Sequence, residues 1–363
     1  MNLEALVDRV LADPLGAARS AGTRGGHAIG YVGPDIPVEL ILAASAIPIR
    51  LCGTPAAPTP HAERYLEASF SPESRSIAEQ WLTGGLDCLE SVIFSRSDDS
   101  AQRLYYYLCE LQRRGHCGGP KPLLYDLARI NRALSLAHTI ESTRRLAAEL
   151  NVNEADLHGA AQRVNARLEV LSRLTALRAG TPAPLGSLVH RIMRASHCDW
   201  SMEFDRAVER WLAAPVNTES RRRVLLVGSA PPDERLHGAV ESAEATVVEE
   251  LNDVSAALPA SSSRAASALE ATAQRCYRTI VAIRSLLQSP QEVCRRAHEL
   301  HVQGVIVWLI AEDTGLAWEA PHLERALRDA GAPVLLLTLQ PWACEAATLT
   351  AVEQLVRTLE TVQ

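Results

Sequence analysis

Residues 27–53 read HAIGYVGPDIPVELILAASAIPIRLCG. The run His27–Val32 is short and apolar, which predicts a buried strand. Gly33-Pro34-Asp35-Ile36-Pro37 is a turn, and Pro37 suits the start of a helix because its missing N–H is not needed there. Val38 to Ala44 continues that helix, and Ile47–Leu51 is a second apolar run. Strand, helix and strand in this order make a βαβ unit with parallel strands.

Outward from this unit the alternation persists. Leu3, Leu6, Val7, Val10 and Leu11 fall at helical spacing and predict one amphipathic helix over residues 1–22. Residues 54–62 read as a loop, 71–83 as a helix, Ser91–Phe94 as a strand and 100–113 as a helix. Gly115 to Pro122 breaks the pattern. Residues 127–178 are mainly helical, with apolar positions Leu134, Ala137, Ile140, Leu146 and Leu150, and a turn at Asn151–Glu154. A linker at 180–184 leads to helical residues 185–213.

A second α/β series begins at Val224–Gly228. It continues with a strand at Ala245–Val248, a low-complexity loop at Ala260–Arg264, and helices over 265–286 and 290–301. A strand at Gly304–Ile310, a helix over 319–330, a strand at Pro333–Leu339 and a helix over 347–361 complete it. The expected fold is α/β: two Rossmann-like or flavodoxin-like lobes with parallel sheets, 1–126 and 216–363, and a mainly helical insert and linker at 127–215.

The net charge of −7 argues against general nucleic-acid affinity, which needs a surplus of cations. Arg221, Arg222 and Arg223 read as a solvated lead-in to a strand. No run of 18 apolar residues predicts a membrane helix, and the first 22 residues are too polar for a secretory leader. The eight cysteines are scattered without a CxxC pair. That pattern suits free thiols in the cytoplasm and offers no zinc-site spacing, so no metal is expected.

In open parallel sheets ligands bind beyond the carboxyl ends of strands. The loops at Gly33–Pro37 and Gly228–Asp233 qualify. Neither is a GxGxxG or Walker A loop, so a dinucleotide or nucleoside triphosphate is not implied. Asp98, Asp99, Glu249, Glu250, Glu312 and Asp313 all follow predicted strands. They suit either helix capping or a converged acidic cleft. His197-Cys198 reads as a buried thiol in a helical region, and the His298/His301 pair as solvent-facing.

Taken in order, several segments resemble the D-component family of 2-hydroxyacyl-CoA dehydratases and benzoyl-CoA reductases. Residues 29–53 are similar to its opening strand ending in Gly-Tyr, then Pro-x-Glu-Leu-Ile and Ala-x-x-x-Pro-x-Arg-Leu. Residues 95–108 resemble its next strand end and helix. Glu149–Val152 and Ala160–Arg167 resemble its helical turn, and 223–251 with 304–339 its second lobe. The resemblance implies paired subunits, each binding a [4Fe-4S] cluster through three cysteines. It also implies an activator ATPase that supplies a low-potential electron, and an acyl-CoA thioester as substrate.

The three cluster cysteines of the family fall here on Ser71, Asp98 and Asp313, the last with Glu312 beside it. Three oxygen ligands cannot replace the soft thiolates of such a cluster. The expectation is therefore a subunit without its own cluster, paired with a cluster-bearing homologue or with itself. Gly33, Asp35, Pro37, Glu39, Asp99, Ser229 and Glu312 would line the substrate cleft between the lobes, together with the former cluster positions. The competing readings are a stand-alone cluster-free enzyme using that acidic cleft, and a non-catalytic scaffold.

Overall fold

A computed structural model describes residues 2–128, 130–214, 221–254, 266–287 and 289–359. The Ala260–Arg264 loop and the 215/216 boundary lie outside the described residues. The chain separates into two compact units. The first comprises Met1–Val170, Arg194–Ala207 and Ala257–Val281, and the second Leu171–Met193, Val208–Ala256 and Ala282–Gln363. The helical segment 127–215 thus contributes to both.

The first unit opens with α1 (Leu3–Ala12) and α2 (Gly16–Gly22). The single helix expected over 1–22 is divided at Asp13-Pro14, because proline lacks an N–H and restricts the residue before it. Then follow β1 (His27–Val32), α3 (Val38–Ala43), β2 (Ala46–Arg50), α4 (Pro72–Leu82), β3 (Ser91–Ser95), α5 (Asp99–Arg113), β4 (Lys121–Tyr125) and α6 (Ala133–Glu149). The strands form a parallel sheet in the order β2-β1-β3-β4, with Ile29 opposite both Pro48 and Ser91. β4, where the sequence predicted only a break, is an edge strand, and an edge is where Pro122 is tolerated.

Successive strand residues point to opposite faces. Ile29, Tyr31 and Ile93 enter one core with Leu40, Ile41 and Leu146. Ala28, Val32, Val92 and Phe94 enter the other with Phe70, Ile77, Trp81 and Leu104. Burying a side chain such as Phe70 or Phe94 stabilises by about 1.5–3 kcal/mol. The buried face of α6 differs from the expected stripe. Leu134 and Ala137 are exposed, whereas Thr139, Ser142, Thr143, Leu146 and Ala147 are buried.

Next come α7 (Glu154–Ala179), α8 (Gly186–Ser196) and α9 (Met202–Leu212). The second unit then supplies β5 (Arg222–Gly228), α10 (Arg235–Ser242) and β6 (Ala245–Leu251). These are followed by α11 (Ala268–Leu287), whose residues up to Val281 belong to the first unit, and by α12 (Pro290–Glu299), β7 (Gly304–Ile310), α13 (Thr314–Asp329), β8 (Val334–Gln340) and α14 (Ala346–Thr358). Its sheet is parallel, in the order β6-β5-β7-β8. Val224, Leu226, Ile306 and Trp308 enter one core, and Leu225, Val227, Val305 and Val307 the other. The α/β class and the two parallel sheets expected from sequence are both present. No helix among the described residues is long and apolar enough to cross a membrane.

Candidate functional site

Both sheets have a switch point, where the chain leaves neighbouring strands in opposite directions. It falls between β1 and β3 in the first unit and between β5 and β7 in the second. Loops at such points are the usual ligand sites of open α/β sheets. The sequence-predicted residues distribute over these two places.

In the first unit, Gly33 follows β1 with φ +110°, and a Cβ there would lie 2.7 Å from Ser95 Cβ. The close approach requires glycine. It sets Asp35, fully buried, against the end of β3, where Ser95 Oγ donates to Asp35 Oδ2 at 2.8 Å. Ser95 Oγ also accepts from the Ser97 N–H at 2.9 Å. Pro37 caps α3, and Glu39 in its first turn is buried. Arg275 of α11 meets both oxygens of Glu39, Nε at 2.6 Å and Nη2 at 2.7 Å. Burial would lower the Arg275 pKa, but the Glu39 carboxylate more than offsets this and holds the guanidinium charged.

Ser71 and Asp98 are helix N-caps. Ser71 Oγ accepts from the Ser74 N–H at 3.2 Å, and Asp98 Oδ1 from the Ala101 N–H at 2.8 Å. The Ser71 N–H donates to Ser100 Oγ, which brings the starts of α4 and α5 together. Asp99 is exposed and 4.0 Å from Arg103 one turn along the same helix. Of the expected first-unit residues, Gly33 and Asp35 therefore meet at the switch point, Glu39 is committed to Arg275, and Ser71 and Asp98 begin adjoining helices.

The second unit repeats the arrangement with the partners exchanged. Gly228 follows β5 with φ +118°, and a Cβ there would lie 2.4 Å from the Trp308 carbonyl oxygen. Ser229 is buried, and its Oγ donates to Asp313 Oδ2 at 3.1 Å and accepts from the Ile310 N–H at 3.1 Å. Asp313 caps α13, accepting from the Leu316 N–H at 3.4 Å. α13 begins at Thr314, five residues before the expected start, which is what places Asp313 at the cap. Glu312, beside it, is partly buried.

A serine–aspartate bridge thus spans each switch point, Asp35–Ser95 in one unit and Ser229–Asp313 in the other. The sequence reading identified Asp35, Ser229 and Asp313. It missed Ser95, which lies just past the predicted strand Ser91–Phe94, and Arg275, which lies 236 residues from Glu39.

The thiols are not poised for nucleophilic work. Burial raises the pKa of every cysteine, Cys276 and Cys344 to about 12. Cys198 is buried, with Sγ 3.7 Å from the Arg50 carbonyl oxygen. Its neighbour His197 is pushed down to about 3, first by burial and then by Arg50 and Arg167.

Two parallel units, each with a glycine-tightened loop at its switch point, define an α/β protein of two open sheets. The chain belongs to the family of the 2-hydroxyglutaryl-CoA dehydratase D-component, whose family model matches residues 35–356. It is a subunit of the 2-hydroxyacyl-CoA dehydratase type. A search of curated proteins finds no match.

Proposed function

We propose that the chain is a cluster-free 2-hydroxyacyl-CoA dehydratase-type subunit of the cytoplasm. It pairs with a cluster-bearing homologue, served by an activator ATPase, and helps to hold the acyl-CoA thioester. Ser71, Asp98 and Asp313 stand where the family carries its cluster cysteines. The observation that carries the reading is that all three are helix N-caps, with their side-chain oxygens engaged by backbone N–H groups. Serine and aspartate are favoured caps. A [4Fe-4S] cluster instead needs thiolates. The residues at these positions do not fit the cluster.

The residues that remain suit binding. The loops after β1 and β5 lie at the switch points, and Gly33 and Gly228 keep their backbones close to the neighbouring strand. Asp313, hydrogen-bonded to Ser229 after β5, is partly accessible there. The electron and the leaving group are then handled in the cluster-bearing partner.

Iron and sulfide determination on the chain purified without oxygen tests this. The expected result is a colourless protein low in iron, which gains iron after reconstitution when Ser71→Cys, Asp98→Cys and Asp313→Cys are combined. A brown wild-type protein with about four irons per chain, lost on substituting Cys88, Cys109 or Cys117, would overturn the reading. Co-expression with a cysteine-bearing homologue should give a stable complex, and failure to co-purify counts against the pairing.

A further inference from the structure

A second group of polar side chains lies within the second unit. Glu250 is near the carboxyl end of β6, His237 in the first turn of α10, and His190 in α8. All three are buried, His237 completely. Glu250 Oε1 lies 3.2 Å from His237 Nε2 and 3.3 Å from His190 Nδ1. The two imidazole rings are 4.5 Å apart, tilted by 31°. Among the described residues, these three form the group of His, Cys, Asp or Glu whose ligand atoms all fall within 4.8 Å of one another.

The spacing is informative. Hydrogen bonds from N–H to oxygen cluster near 2.9–3.0 Å and thin out by about 3.2 Å. The two histidine contacts are therefore long for hydrogen bonds. Around a tetrahedral zinc ion with bonds of about 2.0–2.1 Å, neighbouring ligand atoms are about 3.3–3.4 Å apart. The two separations from Glu250 Oε1 are close to edges of that tetrahedron. Two imidazoles and one carboxylate are also a ligand set that zinc accepts, with a fourth position left for water.

Metal binding needs neutral imidazole and ionised carboxylate. Burial disfavours a charge on the His237 imidazole, and the Arg178 guanidinium, 2.7 Å from Glu250 Oε1, favours the ionised carboxylate. Asn252 Nδ2 donates to the other oxygen, Oε2, at 3.1 Å and orients the group. Hydrogen bonds of this kind fix ligating carboxylates elsewhere.

We propose that His190, His237 and Glu250 form a divalent metal site suited to zinc(II) or a similar borderline ion, with water completing the coordination. The site ties α8, α10 and β6 together and does not depend on the acyl-CoA reading. Arg178 Nη1 lies 2.7 Å from the same Glu250 oxygen. Its charge repels a bound cation, so the native site is one of restrained affinity, and Arg178 sets that affinity.

The test is titration of the chelator-treated full chain with cobalt(II), a spectroscopic stand-in for zinc. The expected result is the intense visible absorption of tetrahedral cobalt(II), saturating at one ion per chain and abolished by zinc(II). His190→Ala and His237→Asn should abolish it. Arg178→Gln should tighten binding by at least about tenfold, since a positive charge within a few ångströms is removed. That gain cannot arise from misfolding. Absence of the spectrum in both the wild type and Arg178→Gln would overturn the proposal. So would a spectrum that survives both histidine variants, because the ion would then lie elsewhere.

Discussion

The first unit closes its switch point more tightly than the second. Asp35 and Ser95 are completely buried, and Glu39 with Arg275 seals the adjoining helix start. In the second unit Ser229 is buried but Asp313 remains partly accessible. A two-pronged pair in the second unit, Glu249 with Arg296, is partly exposed, with both contacts at 2.7 Å. The same parts serve two ends. One loop region is closed by buried charge, and the other leaves a carboxylate partly accessible.

The sharpest way to break this comparison is to remove one partner from each ion pair. Glu39→Ala leaves a buried guanidinium without its counter-ion, and should cost about 3–5 kcal/mol of folding stability. Glu249→Ala leaves a partly hydrated arginine and should cost about 1 kcal/mol or less. Urea unfolding of the full chain measures both. Similar losses would mean that burial does not distinguish the two pairs. Joint replacement by Glu39→Leu and Arg275→Met should recover much of the first loss, since an apolar pair carries no desolvation penalty.

The two loop glycines give a smaller contrast. Gly228→Ala drives a methyl against the Trp308 carbonyl, part of the β7 backbone, and should cost about 3 kcal/mol. Gly33→Ala meets Ser95 Cβ, itself fixed to the β3 backbone, at 2.7 Å instead of 2.4 Å, and should cost somewhat less, about 2 kcal/mol. Thermal or urea unfolding ranks the two. A larger loss at Gly33 would show that the first unit has the stiffer loop.

The parts of the fold that follow from local pattern were legible. β1, β3, β5 and β7 are apolar runs because both faces of each sheet are covered. β4 was not legible, since Lys121-Pro122 resembles a break and only its edge position accommodates the proline. The packed face of α6 was also hidden. Thr139 and Thr143 look polar, but each hydroxyl bonds to a carbonyl one turn back, and Thr143 also meets the Tyr125 hydroxyl at 2.9 Å. The strand-end carboxylates could be picked out one at a time. Their partners could not, because Ser95 lies 60 residues from Asp35 and Arg275 lies 236 from Glu39. Glu250 was visible as an acidic strand end, whereas His190 and His237 join it only through tertiary packing.

The smallest expected effect concerns two helix caps, Asp98 and Asp313. Asp98 accepts from its helix at 2.8 Å, whereas Asp313 accepts at 3.4 Å and also takes the Ser229 hydroxyl. The shorter contact is the stronger one. Asp98→Ala should therefore cost about 1 kcal/mol, within the usual range for losing a cap. The negative charge beside a helix N-terminus adds a few tenths of that, so Asp98→Asn should retain most of the stability. Asp313→Ala should cost less at its own helix but should also release Ser229 Oγ, loosening the loop after β5. Amide exchange separates the two effects. Faster exchange confined to the first turn of α5 is expected for Asp98→Ala. For Asp313→Ala, faster exchange at Leu316 should be accompanied by faster exchange at Ile310, whose N–H donates to Ser229 Oγ. If the Ile310 amide is unaffected, the Ser229–Asp313 bridge does not organise that switch point, and the likeness between the two units ends at their strands.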